Sequence, residues 1–130
     1  MVGLGAAALT ASYCFGGCNQ NDQNYDGPNP IDFMLDLTLP AYAALNNNGG
    51  YIYNARVIVA RTLTGAYIAV SQACTHAGAT VDFDAANSQF HCASHGSNFR
   101  LDGTVSNGPA GSPLRRYNTA LTGTSLRVFS

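Results

Sequence analysis

The stretch from Gln72 to Phe99, QACTHAGATVDFDAANSQFHCASHGSNF, holds two of the chain's four cysteines and all three of its histidines. Its ligand-type residues fall into two short groups. Cys74 and His76 form a Cys-x-His, Cys92 and His95 form a Cys-x-x-His, and fifteen residues separate the groups. Each group offers one thiolate and one imidazole, side chains that bind transition metals well. The intervening TVDFDAANSQF reads as a hairpin whose strands bring the groups face to face. Gly78 and Gly96 follow closely. Glycine there lets each loop turn sharply and lets backbone N–H groups approach a ligand.

The rest of the chain supplies a frame for those loops. At 130 residues it forms one domain with room for a core. It has no Lys and no Glu, and its six Arg and seven Asp leave a net charge of −1. That balance offers no footprint for nucleic acid or an anionic membrane surface. Aromatic and β-branched residues are spread evenly, with no long amphipathic helical pattern, which favours an all-β domain. Strand-like runs recur. IDFMLDLTL stops at Pro40, AYAALNNNGGYIYNA turns at Asn46 to Gly50, and RVIVARTLTGAYIAV reads as a hairpin turning at Thr62 to Gly65. TVDFD, SQFHC, NFRLDGTV and RRYNTALTGTSLRVFS come next, with turn dipeptides at Asp102-Gly103 and Thr122-Gly123. About eight strands between Gly and Asn turns imply an antiparallel sandwich or small barrel.

Residues 1–18 differ in character. Positions 2 to 17 are small, apolar and uncharged, a run too short for a membrane span of ~20 residues. They read as the apolar part of an export signal without its positive start. VGLGAAAL resembles the apolar run downstream of a twin-arginine motif, so Met1 is read as an internal start. FGGC resembles a lipobox, with Cys18 as the lipidated residue; the competing reading is a plain apolar arm. Residues 19–30, NQNDQNYDGPNP, read as a flexible linker, and 31–130 as the folded domain.

Three readings of the Cys/His groups compete: chance proximity, a structural Cys2His2 zinc site, or a mixed-ligand iron–sulfur centre. Zinc knuckles pair Cys near Cys and His near His, usually in domains that lack a core. The third reading gains from a resemblance. CTHAG with HCASHGSNF resembles the two cluster-binding loops of Rieske-type 2Fe–2S proteins, and LDGTVSNGPAGSPLRRY resembles the family's segment after the second loop, including the Gly-Pro-Ala loop that folds over the cluster. The match covers residues 55 to 129 and implies a Rieske-like antiparallel β-sandwich with a small cluster-binding subdomain. It implies one 2Fe–2S cluster per chain, with Cys74 and Cys92 on one iron and His76 and His95 on the other, nearer the surface. Ser97 matches a serine that hydrogen-bonds a cluster sulfur. His91 has no place in the motif and is expected to be an ordinary strand-end histidine.

Two thiolates bring an oxidised Fe2S2 core of charge +2 to zero, whereas four would make it anionic. An electron enters a neutral centre more easily, so Rieske potentials lie at roughly −150 to +300 mV against about −400 mV for plant-type ferredoxins. The ring nitrogens turned away from iron can exchange protons, so electron and proton uptake should couple. The sequence departs from the Rieske proteins of cytochrome bc complexes at three positions. Ala79 and Ser94 stand where those proteins have a disulfide pair, and Phe99 stands where high-potential members have a Tyr. The loss of that hydroxyl implies an intermediate potential.

All three histidines lie in this region, so no mononuclear iron site of an oxygenase catalytic domain remains. The resemblance implies a one-electron carrier with no substrate chemistry of its own. It would serve an exported respiratory or oxidoreductase chain, periplasmic or at the cell surface, with a lipid on Cys18 as its membrane anchor. Its expected partners are redox proteins such as a cytochrome or a molybdenum enzyme subunit. The alternatives are a ferredoxin for an oxygenase, the small subunit of an arsenite-oxidase-like enzyme, or a metal-binding structural module without redox activity.

Overall fold

Alternation in Asp32-Phe33-Met34-Leu35-Asp36 turns Leu35 fully inward and leaves Asp32, Met34 and Asp36 exposed, the pattern of a strand with one wet face. This is β1 (Asp32–Asp36) of a computed structural model that describes residues 27–76 and 78–130. The signal segment, Cys18 and linker residues 19–26 lie outside the described residues. Residues 27–30, read as linker, touch the domain: Tyr117 Oη donates to the Pro28 carbonyl at 2.6 Å, and Ser130 Oγ donates to Asn29 Oδ1 at 3.0 Å.

Nine more strands follow among the described residues. They are β2 (Tyr51–Asn54), β3 (Val57–Arg61), β4 (Tyr67–Ser71), β5 (Asp82–Asp84), β6 (Gln89–His91), β7 (Asn98–Arg100), β8 (Val105–Asn107), β9 (Arg116–Thr122) and β10 (Ser125–Phe129). They form a six-stranded sheet, order β1-β10-β9-β4-β3-β2, and a four-stranded sheet, order β5-β6-β7-β8. The strand pairings within both are antiparallel. The expected hairpins form at Thr62–Gly65, between β5 and β6, at Asp102-Gly103 and at Thr122-Gly123.

Val57-Ile58-Val59-Ala60 is apolar at every position because β3 is covered on both faces. Val57 and Val59, with Ala69 of β4, face one core that also holds Leu35, Leu45, Tyr117, Leu126 and Val128. Ile58 and Ala60, with Val70, face a second core holding Cys74, Val81, Phe83, Phe90, Cys92, Phe99 and Leu114. The larger sheet therefore serves both cores, and the smaller sheet with its loops sits on the second.

One run differs from its expected form. AYAALN, read as strand-like, belongs to a 3-10 helix over Pro40–Asn46. Pro40 opens it, where a preset φ suits a first turn and the missing N–H costs nothing. Only Leu45 of this helix is buried, with Tyr42 partly packed against the same core, so its packed residues fall three apart rather than at a strand period.

Candidate metal centre

Two loops emerge beside the second core, and they share one backbone plan. The Cys74 N–H donates to the Ala79 carbonyl at 2.7 Å, and the Gly78 N–H donates back to the Cys74 carbonyl at 2.7 Å. In the other loop, the Cys92 N–H donates to the Ser97 carbonyl at 2.8 Å, and the Gly96 N–H donates to the Cys92 carbonyl at 2.8 Å. Gly78 and Gly96 adopt φ of 77° and 81°, a left-handed turn that glycine takes without a Cβ clash. The glycines stand at unequal offsets from His76 and His95 but both four residues after their cysteine. The repeated unit is thus built on the cysteines.

Cys74 and Cys92 are fully buried, neither in a disulfide, and both belong to the second core. His76 and His95 are exposed, with ring centroids 4.6 Å apart at an interplanar angle of 86°. Their Nδ1 atoms lie 3.3 Å apart. Two nitrogens each ~2.1 Å from one tetrahedral ion stand about 3.4 Å apart, so this separation suits two ligands on one metal. Among the described residues no three His, Cys, Asp or Glu side chains converge on a single-ion site. A mononuclear Cys2His2 zinc site needs such convergence; a buried thiol pair and a surface imidazole pair suit a dinuclear cluster.

Ser97 adds a second test of fit. It is fully buried, and its Oγ accepts the Ala110 N–H at 3.0 Å. Among the described residues, neither its hydroxyl hydrogen nor its N–H has a protein acceptor. Buried donors need acceptors, and cluster sulfurs beside Cys92 would provide them. The loop segments themselves are also free of ionic side chains: residues 73–79, 93–98 and 106–114 contain no Asp and no Arg. The residues present fit a 2Fe–2S group.

Ala79 is half-buried against the second core and Ser94 is exposed. The loops are tied instead through the Gly-Pro-Ala segment. Thr75 Oγ1 donates to the Ser112 carbonyl at 2.5 Å, the Ala110 N–H reaches Ser97, and Asn107 Nδ2 donates to the Gly96 carbonyl at 3.1 Å. The roles of Thr75, Asn107 and Ser112 escape a sequence reading, because each depends on contacts between loops. Another tie lies behind the first loop, where Tyr53 Oη donates to the Val81 carbonyl at 2.7 Å. Burial first, then Asp82, pushes the Tyr53 phenol up to about 12.

His91 ends β6, where its Nδ1 is hydrogen-bonded to Asn98 Oδ1 and its cross-strand neighbours are Asp82 and Asn98. It stays out of the imidazole pair, as a strand-end histidine would. Phe99 is fully buried in the core that holds both thiols.

Comparison with known proteins agrees with this geometry. Residues 42–118 match the family model of the Rieske [2Fe-2S] domain. The cytochrome b6-f complex iron-sulfur subunit of Chlorobaculum thiosulfatiphilum is 34% identical over 76 residues, 58% of this chain and 42% of the relative. The corresponding subunit of Chlorobaculum tepidum is 32% identical over 93 residues, 70% of this chain and 51% of the relative. This chain therefore spans about half the length of these relatives or less. Among solved structures, the cyanobacterial plasma membrane Rieske protein from Synechocystis superposes with a TM-score of 0.58 at 32% identity, covering 69% of this chain and 95% of that one. The ferredoxin of carbazole 1,9a-dioxygenase from Nocardioides aromaticivorans gives a TM-score of 0.57 at 25% identity, covering 64% and 86%. With its paired loops and its matched segment, the chain belongs to the Rieske [2Fe-2S] domain family.

Proposed function

We propose that this protein passes single electrons between redox partners, with Cys74 and Cys92 holding one iron and His76 and His95 the other. When bound, the cluster supplies the one-electron couple. The protein's residues bury its sulfur end and bring its imidazole end to solvent. The observation that carries this reading is the exposed imidazole pair, with Nδ1 atoms 3.3 Å apart, beside two fully buried thiols. A partner can approach the imidazole edge without disturbing the core.

The physiological setting is read from the sequence and its relatives. An exported respiratory or oxidoreductase chain, with the head tethered through a lipid on Cys18, fits the apolar residues 2–17 and the cytochrome b6-f and plasma-membrane relatives. A Cys18→Ala variant produced in the native host should leave the membrane fraction; continued retention would remove the lipid anchor. The runner-up is an oxygenase ferredoxin, favoured by the similarity to the carbazole dioxygenase ferredoxin. Protein-film voltammetry separates the two. A potential well above the low end of the Rieske range, roughly −150 mV, supports the exported carrier, and one at that end supports the ferredoxin.

A further inference from the structure

We propose that Asn107 is a positioning residue that aims the buried N–H of Ser97 at the metal centre, an inference that rests on the 2Fe–2S reading of the site. Asn107 ends β8 at the surface, and its Nδ2 donates to two carbonyls, Gly96 at 3.1 Å and Gly108 at 3.1 Å. Both amide hydrogens are thereby engaged. One fixes the start of the Gly-Pro-Ala loop and the other fixes the Gly96–Ser97 peptide.

The second contact has a consequence inside the protein. A trans peptide is planar, with its carbonyl and its N–H on opposite sides. Drawing the Gly96 carbonyl out toward Asn107 therefore turns the Ser97 N–H inward. Ser97 is fully buried, and that N–H has no protein acceptor among the described residues. Gly96 has φ of 81° and no neighbouring atom within 4 Å of where a Cβ would sit. At the Gly96 end, packing thus does not set the plane of this peptide; the hydrogen bond to its carbonyl does. Asn107 holds the Gly96 carbonyl at one end, and at the other Ser97 is held through its carbonyl by the Cys92 N–H and through its Oγ by the Ala110 N–H. Without Asn107, the carbonyl end of the Gly96–Ser97 peptide loses its anchor and tilts, and its inward donor loses aim.

A donor aimed at sulfur favours the more negative, reduced state. The test uses the full chain, purified with its iron, as Asn107→Ala, Asn107→Leu and Asn107→Gln. All three are uncharged, so no net charge is gained or lost beside the centre. Ala and Leu should keep two irons per chain while the reduced form loses stability about threefold to tenfold, a fall of up to ~59 mV for one electron. Gln retains an amide donor and should recover most of the potential. Full iron with the wild-type potential in Ala and Leu would overturn the assignment, as would Gln falling as far as Leu. Pulsed EPR on protein with isotope-labelled serine gives a second readout. A nitrogen coupling from Ser97 that weakens in Ala supports the role, and a coupling indifferent to residue 107 overturns it. Wild-type protein without a reduced 2Fe–2S signal would instead overturn the reading of the centre itself.

Discussion

Thr75 Oγ1 donates a hydrogen bond to the carbonyl of Ser112, 37 residues away. Thr75 is buried beside the Cys74 thiol position, and Ser112 lies in the loop that also holds Ser97 through the Ala110 N–H. The bond joins the first Cys/His loop to the segment that clasps the second. A Thr75→Val variant keeps the shape and leaves the carbonyl without its donor, at a cost of about 1–3 kcal/mol. It should lower the melting temperature and speed iron release to a chelator, while Thr75→Ser stays close to wild type. Equal release rates for Val and Ser would show that the tie does not hold the loops.

Phe99 fills a fully buried position in the core shared with Cys74 and Cys92. A phenol there would place a donor near cluster sulfur, so Phe99→Tyr should raise the potential. A tenfold gain for the reduced form corresponds to ~59 mV for one electron. An unchanged potential would mean that the ring edge does not face sulfur.

The three histidines should separate cleanly. His76→Ala and His95→Ala each remove one member of the exposed pair and should abolish the Rieske EPR signal. His91→Ala loses a hydrogen bond to Asn98 and an electrostatic contact with Asp84, neither of them part of the imidazole pair, so it should keep two irons per chain and lose about 1 kcal/mol of stability. A full signal in His95→Ala would remove that residue from the ligand set.

Stability should fall at both extremes of pH. Arg127 holds the Asp32 carboxyl below its ordinary value through a bidentate pair at 3.0 and 2.7 Å, and hydrogen bonds from Thr104 do the same for Asp102. Depressed folded values mean these contributions are complete above the unfolded carboxylate value of about 3.9 and are lost as pH falls through the folded ones. Tyr53 has the opposite sign. Its folded value of about 12 favours the neutral phenol, so its contribution is complete below the unfolded value of about 10 and is lost as pH rises through 12. Melting temperatures should plateau between these limits, and Tyr53→Phe should blunt the alkaline fall. A fall as steep in Tyr53→Phe as in wild type would assign the alkaline limb to other groups.

Where the sequence announced the fold, it did so through local chemistry. Gly65, Gly103 and Gly123 each adopt positive φ at hairpin ends, and the doubly apolar run 57–60 marks the strand between two cores. The two Cys/His loops were legible because the spacing within each is local. The 3-10 helix at Pro40 was hidden, since only Leu45 is buried, with Tyr42 partly packed beside it. The ties from Thr75, Asn107 and Tyr53 were hidden for another reason. Their partners lie 37, 11 and 28 residues away, so only the folded chain selects them.

The central claim is that one chain holds a cluster with two thiolate and two imidazole ligands. Iron analysis together with low-temperature EPR of dithionite-reduced protein tests it most directly. Two irons per chain and a signal with average g below 2, lost in His76→Ala and His95→Ala, are the expected result. Zinc without a signal, or a signal that survives loss of either histidine, would contradict the account.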